Sequence, residues 1–424
     1  MEIQVLRRYV VSSCVAAAML AGCGGSQLSA PGPKPIPQTE MLMPQALQRP
    51  SVTQYRSLYS FKGTRDGETP TAGLTALNGT LYGTTPAGGK GYHGGYGTVF
   101  SMSPSGKEQV LHRFYGVGDG KFPSGDLVAY NGMLYGTTRT GIGGARWGTV
   151  FEINPSGGER VLYRFKGAPD GEGPSGKLFV LNGTLYGTTT SGGTVSEYCS
   201  RDGCGTVYSL STSGSEHIIY RFTAESSGQS NGIAPISGVI AVGNRLYGIT
   251  EEGGQFNEGV LFAVTLSGKE SVVFSFGTGG SSGIFKPNGS LTSIGNELYG
   301  VTTEGGKRYL GSIYEVNAKG VAHLLYSFGT ETLLGYNPEA GLCYRNGWLY
   351  GTSSSGGYSD SGTIFRVRAS GTKSQVLYDF AGGLYGETPT SEVTFLTGIL
   401  YGTTKLGGSS RKCPSCGTVW QLTL

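Results

Sequence analysis

A three-residue motif, Leu-Tyr-Gly, recurs along this chain and constrains its fold more than any other feature. The tyrosines of its copies are Tyr82, Tyr135, Tyr186, Tyr247, Tyr299, Tyr350 and Tyr401. Consecutive copies are separated by 53, 51, 61, 52, 51 and 51 residues. A period near fifty residues indicates a tandem array in which each unit packs on its neighbours, so length alone does not divide the 424 residues into domains.

Each unit contains four short strands separated by turn residues. In the first unit the predicted strands are residues 74–77, 81–85, 97–102 and 110–114. The first two strands are joined by Asn78-Gly79, a pair that favours a two-residue hairpin turn. The same order of strands and turns recurs in the later units, and four antiparallel strands in about fifty residues are typical of a β-propeller blade.

The strand count predicts how the ring closes. The first three strands occur seven times, but the chain ends before a seventh fourth strand. Residues 57–61 (SLYSF) match the fourth strands of other units, so we expect this N-terminal strand to complete the last blade. A closed ring removes the exposed sheet edges that an open array would leave. The sequence therefore predicts an all-β fold, a seven-bladed β-propeller of four-stranded antiparallel blades.

The repeat also resembles a known family. LYGTT, the Gly-Gly that follows it, GTVF at residues 97–100 and the LYRF fourth strand are similar to the GloVer tandem repeat of bacterial surface proteins. The resemblance covers about residues 54–424 and implies a propeller of the bacterial cell envelope. It implies no catalytic residues, and we assign none.

The N-terminus has the features of an export signal. Arg7 and Arg8 precede an apolar run at residues 9–20, which is too short to span a membrane. Leu-Ala-Gly-Cys at residues 20–23 resembles a bacterial lipobox, which implies a lipid on Cys23; the alternative is an ordinary signal peptide with a chance cysteine. We predict a lipoprotein signal peptide (residues 1–22), a Pro-rich tether (23–53) and the propeller (54–424).

These features predict a protein of the cell envelope, held through Cys23 in the outer membrane or at the cell surface. The net charge is +4 and no basic stripe stands out, which argues against nucleic acid as a partner. We further predict a monomer without a cofactor or a metal.

Candidate binding residues lie in the second-to-third loops, where the units differ most. Loops on a rigid scaffold commonly carry binding sites, and aromatic or basic side chains can stack on sugars or hold a protein partner. These loops contribute Tyr92, Tyr96, Arg146, Trp147, Tyr198, Tyr309 and Tyr358. Alternatively, these side chains only cover the blade tops.

Three glutamates follow the motif in the fourth and fifth units. Glu251, Glu252 and Glu304 stand at the start of the loop, where other units have residues such as Ala, Thr or Ser. Because the two blades are adjacent, Glu252 and Glu304 could form an acid/base pair. The alternative is that they are solvated glutamates at a loop mouth.

The cysteines predict two local disulfides. Cys199 and Cys204 precede one third strand, and Cys413 and Cys416 precede another. Either pair alone could be a redox motif or half of a zinc site. However, the two pairs lie three or four blades apart, and an exported protein favours disulfides. Cys343, in a first strand, is expected to be a buried free thiol that behaves as a small hydrophobe.

Three Asp-Gly pairs occupy fourth-to-first connections. Asp66, Asp119 and Asp170 each precede a glycine. They could supply oxygen ligands to Ca²⁺. The later units lack the pair, which favours a role in tight turns instead.

The function expected from the sequence is binding or scaffolding. Its ligand would be a glycan or an envelope protein, held by the long loops. The alternative is an extracytoplasmic polysaccharide lyase or glycosidase that uses the central funnel. An acidic cluster with Arg or Tyr at the channel mouth would favour the enzyme, whereas a broad aromatic rim without one would favour binding.

Overall fold

The computed structural model describes residues 54–63, 65–90, 94–199, 201–224, 231–277, 283–329 and 334–424. The predicted signal peptide, Cys23 and the tether lie outside these residues. The described chain is almost entirely strands and turns. Within it, no helix has the length and apolarity that a membrane span requires.

The strands form seven separate antiparallel sheets, one per blade. Blade 1 contains β2 (Thr75–Leu77), β3 (Thr80–Thr85), β4 (Thr98–Met102) and β5 (Glu108–Arg113). Blade 2 contains β6 (Lys121–Tyr130), β7 (Met133–Thr140), β8 (Thr149–Ile153) and β9 (Glu159–Arg164). Blade 3 contains β10 (Gly171–Leu181), β11 (Thr184–Gly192), β12 (Thr206–Ser211) and β13 (Glu216–Arg221).

The remaining blades follow the same order. Blade 4 contains β14 (Ile233–Pro235), β15 (Ile240–Val242), β16 (Arg245–Glu252), β17 (Val260–Thr265) and β18 (Glu270–Ser275). Blade 5 contains β19 (Ile284–Ile294), β20 (Glu297–Gly305), β21 (Ser312–Asn317) and β22 (Ala322–Ser327). Blade 6 contains β23 (Cys343–Arg345), β24 (Trp348–Ser353), β25 (Thr363–Arg368) and β26 (Ser374–Asp379). Blade 7 contains β27 (Thr394–Leu396), β28 (Ile399–Thr404), β29 (Thr418–Thr423) and the N-terminal β1 (Gln54–Ser60).

The predicted ring closure is confirmed. The strand order of blade 7 is β1-β29-β28-β27, with Gln54 opposite Thr423 and Ser60 opposite Thr418. β1 begins at Gln54, three residues earlier than the predicted strand. The N-terminus of the described chain therefore supplies the outermost strand of the blade that holds its C-terminus.

Three of the first strands are longer than predicted. β6, β10 and β19 contain 10, 11 and 11 residues because each continues past its apolar segment and pairs with the end of the second strand. In blade 2, for example, Lys121 is opposite Thr140. The pairing is irregular between Ser124 and Val128, so the intervening residues leave the regular ladder.

The Leu-Tyr-Gly motif belongs to the core. All seven of its tyrosines are buried. Its glycine lies under the aromatic ring of the neighbouring third strand: a Cβ built on Gly136 would come within 2.6 Å of Phe151 Cζ and 2.7 Å of Leu127 Cδ2. Glycine is thus required by close packing and not by a turn. The motif therefore packs neighbouring strands and blades together and does not present a recognition surface.

Candidate functional site

The direction of the strands defines two faces of the ring. The first-to-second and third-to-fourth turns lie together, and we call this the tight-turn face. The second-to-third and fourth-to-first connections lie at the opposite ends of the strands, and we call this the long-loop face. Each first strand begins at the long-loop face and runs along the central channel towards the tight-turn face.

A five-residue pattern lies within each first strand or directly before it. It starts with a proline (Pro70, for example) and ends with a buried leucine or valine (Leu74, for example). Its fourth position is glycine or serine in four blades and charged in the other three. The residues at this position, in blade order, are Gly73, Asp126, Lys177, Gly238, Ser290, Gly341 and Glu392.

Bulges in the first strands turn two of these charged residues out of the ladder. Regular pairing stops at Ser124 and resumes at Val128 in blade 2, and it stops at Ser175 and resumes at Phe179 in blade 3. A bulge leaves residues unpaired and redirects their side chains, and bulges are frequent beside functional sites. Here they direct the charged side chains of these two blades towards the channel.

The three charged residues meet as one cluster. Lys177 Nζ lies 3.8 Å from Asp126 Oδ2 and 3.8 Å from Glu392 Oε2. The backbone N–H of Gly73 donates to Asp126 Oδ1 at 2.5 Å. A Cβ on Gly73 would lie 2.8 Å from Asp126 Oδ2, so the carboxylate occupies the space that a side chain would fill. The cluster therefore connects blades 7, 1, 2 and 3 across the axis.

The electrostatics keep Lys177 charged and disfavour charge on Glu392. Burial raises the pKa of Glu392; Lys177 lowers it and the nearby Asp126 raises it further. The pKa of Lys177 is raised chiefly by Glu392 and also by Asp126, against the opposing effect of burial. The centre of the channel thus holds one ammonium group between two carboxyl groups.

An axial pocket lies above this cluster, at the long-loop end of the channel. Its volume is about 200 Å³, and residues of all seven blades line it. Its polar lining includes Thr71, Asp126, Asn288, Glu339, Thr390 and Glu392. The hydroxyl oxygen of Thr390 is buried and has no hydrogen-bond partner among the described residues. Because a buried hydroxyl without a partner is costly, it favours a polar ligand or water in this pocket.

A larger groove continues outward from the axial pocket. The two cavities share Gly176 and Ile236, and the groove has a volume of about 550 Å³ over blades 2 to 4. Arg139, Glu251 and Glu252 line it. The groove and the axial pocket together form one elongated polar site on the long-loop face.

The two glutamates that the sequence suggested as an acid/base pair have different surroundings. Glu252 lines the groove, whereas Glu304 accepts a salt bridge from Lys286 at 2.7 Å. Both partners of that bridge are about half exposed, with 50% and 53% of their side chains accessible. An exposed carboxylate paired with a lysine does not have the environment of a buried catalytic acid.

The predicted aromatic residues lie in the long loops, and several are exposed. Tyr198, Tyr309 and Tyr358 have relative exposures of 46%, 55% and 91%. They are joined on this face by further exposed apolar and aromatic residues of the long loops. These are Tyr115, Val117, Ile142, Val195, Phe256, Leu384 and Tyr385.

The other predicted loop residues contact their neighbours. The Tyr96 ring is half buried and meets Phe122 edge-on at 6.3 Å. The Arg146 guanidinium carbon lies 5.4 Å from the centroid of the Trp147 ring. Tyr92 lies outside the described residues. A rim of aromatic groups around a polar centre thus characterises the long-loop face.

The three Asp-Gly pairs are turn elements, as the sequence favoured. Asp66 Oδ2 accepts the backbone N–H of Lys62 at 3.0 Å and the hydroxyl of Tyr59 at 2.7 Å. Asp119 and Asp170 accept equivalent hydrogen bonds from the backbone four residues earlier. The carboxylates are therefore used within their own blade connections.

The cysteines form the two expected disulfides, Cys199–Cys204 and Cys413–Cys416. Cys343 differs from its expected role as a simple core residue. It is only partly buried and lines a cavity of about 770 Å³ on the tight-turn side of the channel, together with Lys177 and Glu392. Burial, with a contribution from Glu392, raises its pKa to about 11, so it is a neutral thiol at neutral pH.

The fold and the axial site define a seven-bladed propeller with a polar central pocket. The model of the Gloeobacter/Verrucomicrobia repeat matches residues 48–199 and 193–420, and the chain belongs to this family. This confirms the resemblance drawn from the repeated motifs. No curated protein sequence matches the chain.

Solved structures with similar folds include enzymes. An oligogalacturonate lyase in complex with manganese has a TM-score of 0.56 at 11% identity, over 88% of this chain and 93% of the lyase. The oligogalacturonate lyase of Vibrio parahaemolyticus has a TM-score of 0.53 at 10% identity, over 88% and 94%. A puromycin hydrolase has a TM-score of 0.50 at 12% identity, over 81% of this chain and 50% of the hydrolase. At such identities the likeness extends to the fold alone.

Proposed function

We propose that this protein is a lipid-anchored binding protein of the bacterial envelope that holds a glycan on its long-loop face. The observation that carries the proposal is the continuity of the axial pocket with the groove over blades 2 to 4. Carboxylates, a guanidinium group and hydroxyls line this continuous site, which is the combination of acceptors and donors that sugar hydroxyls require. Lipidation at Cys23 would hold the protein in the outer membrane or at the cell surface.

The shape of the site favours an extended glycan over a single sugar. The groove alone, at about 550 Å³, lies within the size range of small-molecule sites, and the axial pocket extends it. Exposed aromatic rings such as Tyr309 and Tyr358 could stack on further sugar rings at the rim. An envelope protein would instead use the rim as its main contact and leave the polar groove as a secondary feature.

A glycan array followed by titration calorimetry tests the proposal. Arg139→Gln removes the guanidinium group from the groove, and we expect at least a tenfold loss of affinity for any glycan that binds. Arg245→Gln is the matched control, because Arg245 is also an exposed second-strand arginine but lies at the tight-turn face. Equal effects of the two substitutions, or capture of an envelope protein with no glycan bound, would contradict the glycan proposal.

A second candidate function is polysaccharide cleavage in the central funnel. The observation that favours it is the placement of Asp126 and Glu392 on either side of Lys177 at the channel centre, since a pair of carboxyl groups in a pocket can divide the roles of acid and base. The similar structures named as oligogalacturonate lyases suggest an acidic oligosaccharide as the first substrate to assay. Turnover that is abolished by Glu392→Gln and retained by Glu304→Gln would establish the enzyme in place of the binding protein.

A further inference from the structure

The tight-turn face of blade 6 carries four basic side chains around one tryptophan. They are Arg345, Arg366, Arg368 and Lys373. Trp348 begins β24 directly after the hairpin turn, and the guanidinium carbons of Arg366 and Arg368 each lie 4.3 Å from its ring centroid. A cavity of about 410 Å³ opens beside Trp348 and Lys373. We call these five residues the blade 6 basic patch.

The charges of the patch are not neutralised within the described part of the protein. No carboxylate there forms a salt bridge with any of the four basic side chains. Arg366 donates two hydrogen bonds, of 3.0 and 2.7 Å, to the neutral amide oxygen of Gln375. Arg345 and Lys373 are exposed. The patch therefore presents uncompensated positive charge beside an aromatic ring.

The chain joins the propeller at this same face. β29 follows a long second-to-third loop, so it runs from the long-loop face to the tight-turn face. Gln54 is opposite Thr423, at the end of β29, and so the first strand begins at the tight-turn face. Blade 7, which contains Gln54, is next to the patch: the Arg345 guanidinium carbon lies 4.5 Å from the ring centroid of Phe395 in β27.

We propose that the blade 6 basic patch docks the propeller on an anionic phospholipid surface. Basic side chains near such a surface are attracted to lipid phosphates, and tryptophan is favoured at the depth of the headgroups. The inference rests on the envelope anchoring in the proposed function and adds an orientation to it. The tight-turn face lies against the membrane, and the glycan site on the long-loop face points away from it.

Vesicle binding by the unlipidated chain from Gly24 tests the docking without the anchor. We expect it to sediment with vesicles of phosphatidylglycerol and phosphatidylethanolamine at low salt, and not with phosphatidylcholine alone. Arg345→Gln combined with Lys373→Gln should weaken this binding roughly 30-fold, from the contribution expected of two charges near the surface. Lys307→Gln combined with Arg308→Gln removes equal charge from exposed positions on the long-loop face and should leave binding nearly unchanged.

Tryptophan fluorescence identifies the face that meets the lipid. The chain has three tryptophans: Trp147 on the long-loop face, Trp348 in the patch and the fully buried Trp420. Brominated phosphatidylglycerol should quench the wild type and the Trp147→Phe variant, and quenching should be lost in Trp348→Phe. Loss of quenching in Trp147→Phe instead would reverse the orientation and overturn the proposal.

The outcomes separate this inference from the glycan proposal. Equal weakening by the two double substitutions, or no binding to anionic vesicles, would overturn membrane docking. Glycan affinity, measured without vesicles, should be unchanged by Arg345→Gln and Lys373→Gln. Loss of glycan binding by Arg139→Gln with intact vesicle binding, or the reverse, shows that each face acts alone.

Discussion

At the scale of single residues, the repeated glycine of Leu-Tyr-Gly determines how closely neighbouring strands pack. A Cβ on Gly136 would overlap Phe151 Cζ at 2.6 Å and Leu127 Cδ2 at 2.7 Å, and all three residues lie in closely packed regions of blade 2. We expect Gly136→Ala to lower the free energy of unfolding by about 1–3 kcal/mol, the usual cost of overfilling a core. Urea denaturation followed by circular dichroism measures the change.

Gly144 provides the matched control for this substitution. No atom lies within 4 Å of a Cβ built there, and its φ is not in the left-handed region. Gly144→Ala should therefore leave the urea midpoint almost unchanged. A similar loss of stability in both variants would mean that backbone entropy, and not the packed ring of Phe151, explains the glycine.

At the scale of elements, acidic residues lie between the outer strands of adjacent blades. Tyr59 in β1 donates to Asp66, and Glu108 at the start of β5 lies close to both. One carboxylate oxygen of Glu108 is buried without a partner among the described residues. Burial and the charge of Asp66 raise the pKa of Glu108 to about 7. Burial likewise raises the pKa of Glu216 and of Glu270 to about 7.

These raised pKa values predict that the propeller is more stable in mild acid. An unfolded glutamate has a pKa near 4.3, so the folded protein binds more protons between that value and about 7. The stabilisation is complete below pH ~4.3 and is lost as the pH rises through ~7. We expect the urea midpoint to fall between pH 5 and pH 8, and to fall less when Glu108, Glu216 and Glu270 are all replaced by Gln.

Glu304→Gln serves as the control for the pH dependence, since this exposed residue pairs with Lys286 at the surface. Its substitution should leave the slope of stability against pH unchanged. A rise in the wild-type urea midpoint from pH 5 to pH 8 would contradict the prediction. It would mean that the glutamates between the blades ionise with little loss of stability.

The strands and blades were more predictable from the sequence than the candidate site that they form. The period, the Asn-Gly turns and the unmatched residues 57–61 predicted the blades and their closure, because each is a local pattern. Asp126, Lys177 and Glu392 were not among the candidates, although aligning the seven units on the pattern that begins with Pro70 exposes them. These three side chains meet because of the bulges in the first strands and because the ring closes. The axial pocket and the groove are continuous because of how the loops pack. Neither of these features is encoded in a local sequence pattern.

At the scale of the whole molecule, the ring depends on contacts between residues far apart in sequence. The Tyr55 ring stacks on Tyr378 of blade 6 with centroids 3.9 Å apart. Phe61, directly after β1, is fully buried and meets Phe100 of blade 1 at 5.2 Å. The segment that begins with β1 therefore joins blade 7 to both of its neighbours.

Removal of β1 should open the ring. A chain that begins at Phe61 would lose the partner of β29 and the contact between Tyr55 and Tyr378, leaving an edge strand available to other molecules. We expect a monomer for the chain that begins at Gln54, and oligomers or aggregates for the shorter chain, by size exclusion with light scattering.

A synthetic peptide of residues 54–60 should restore the monomer, because an exposed edge accepts an added strand. If the shorter chain is a monomer of unchanged stability, six complete blades and a three-stranded seventh suffice, and ring closure by β1 does not stabilise the fold.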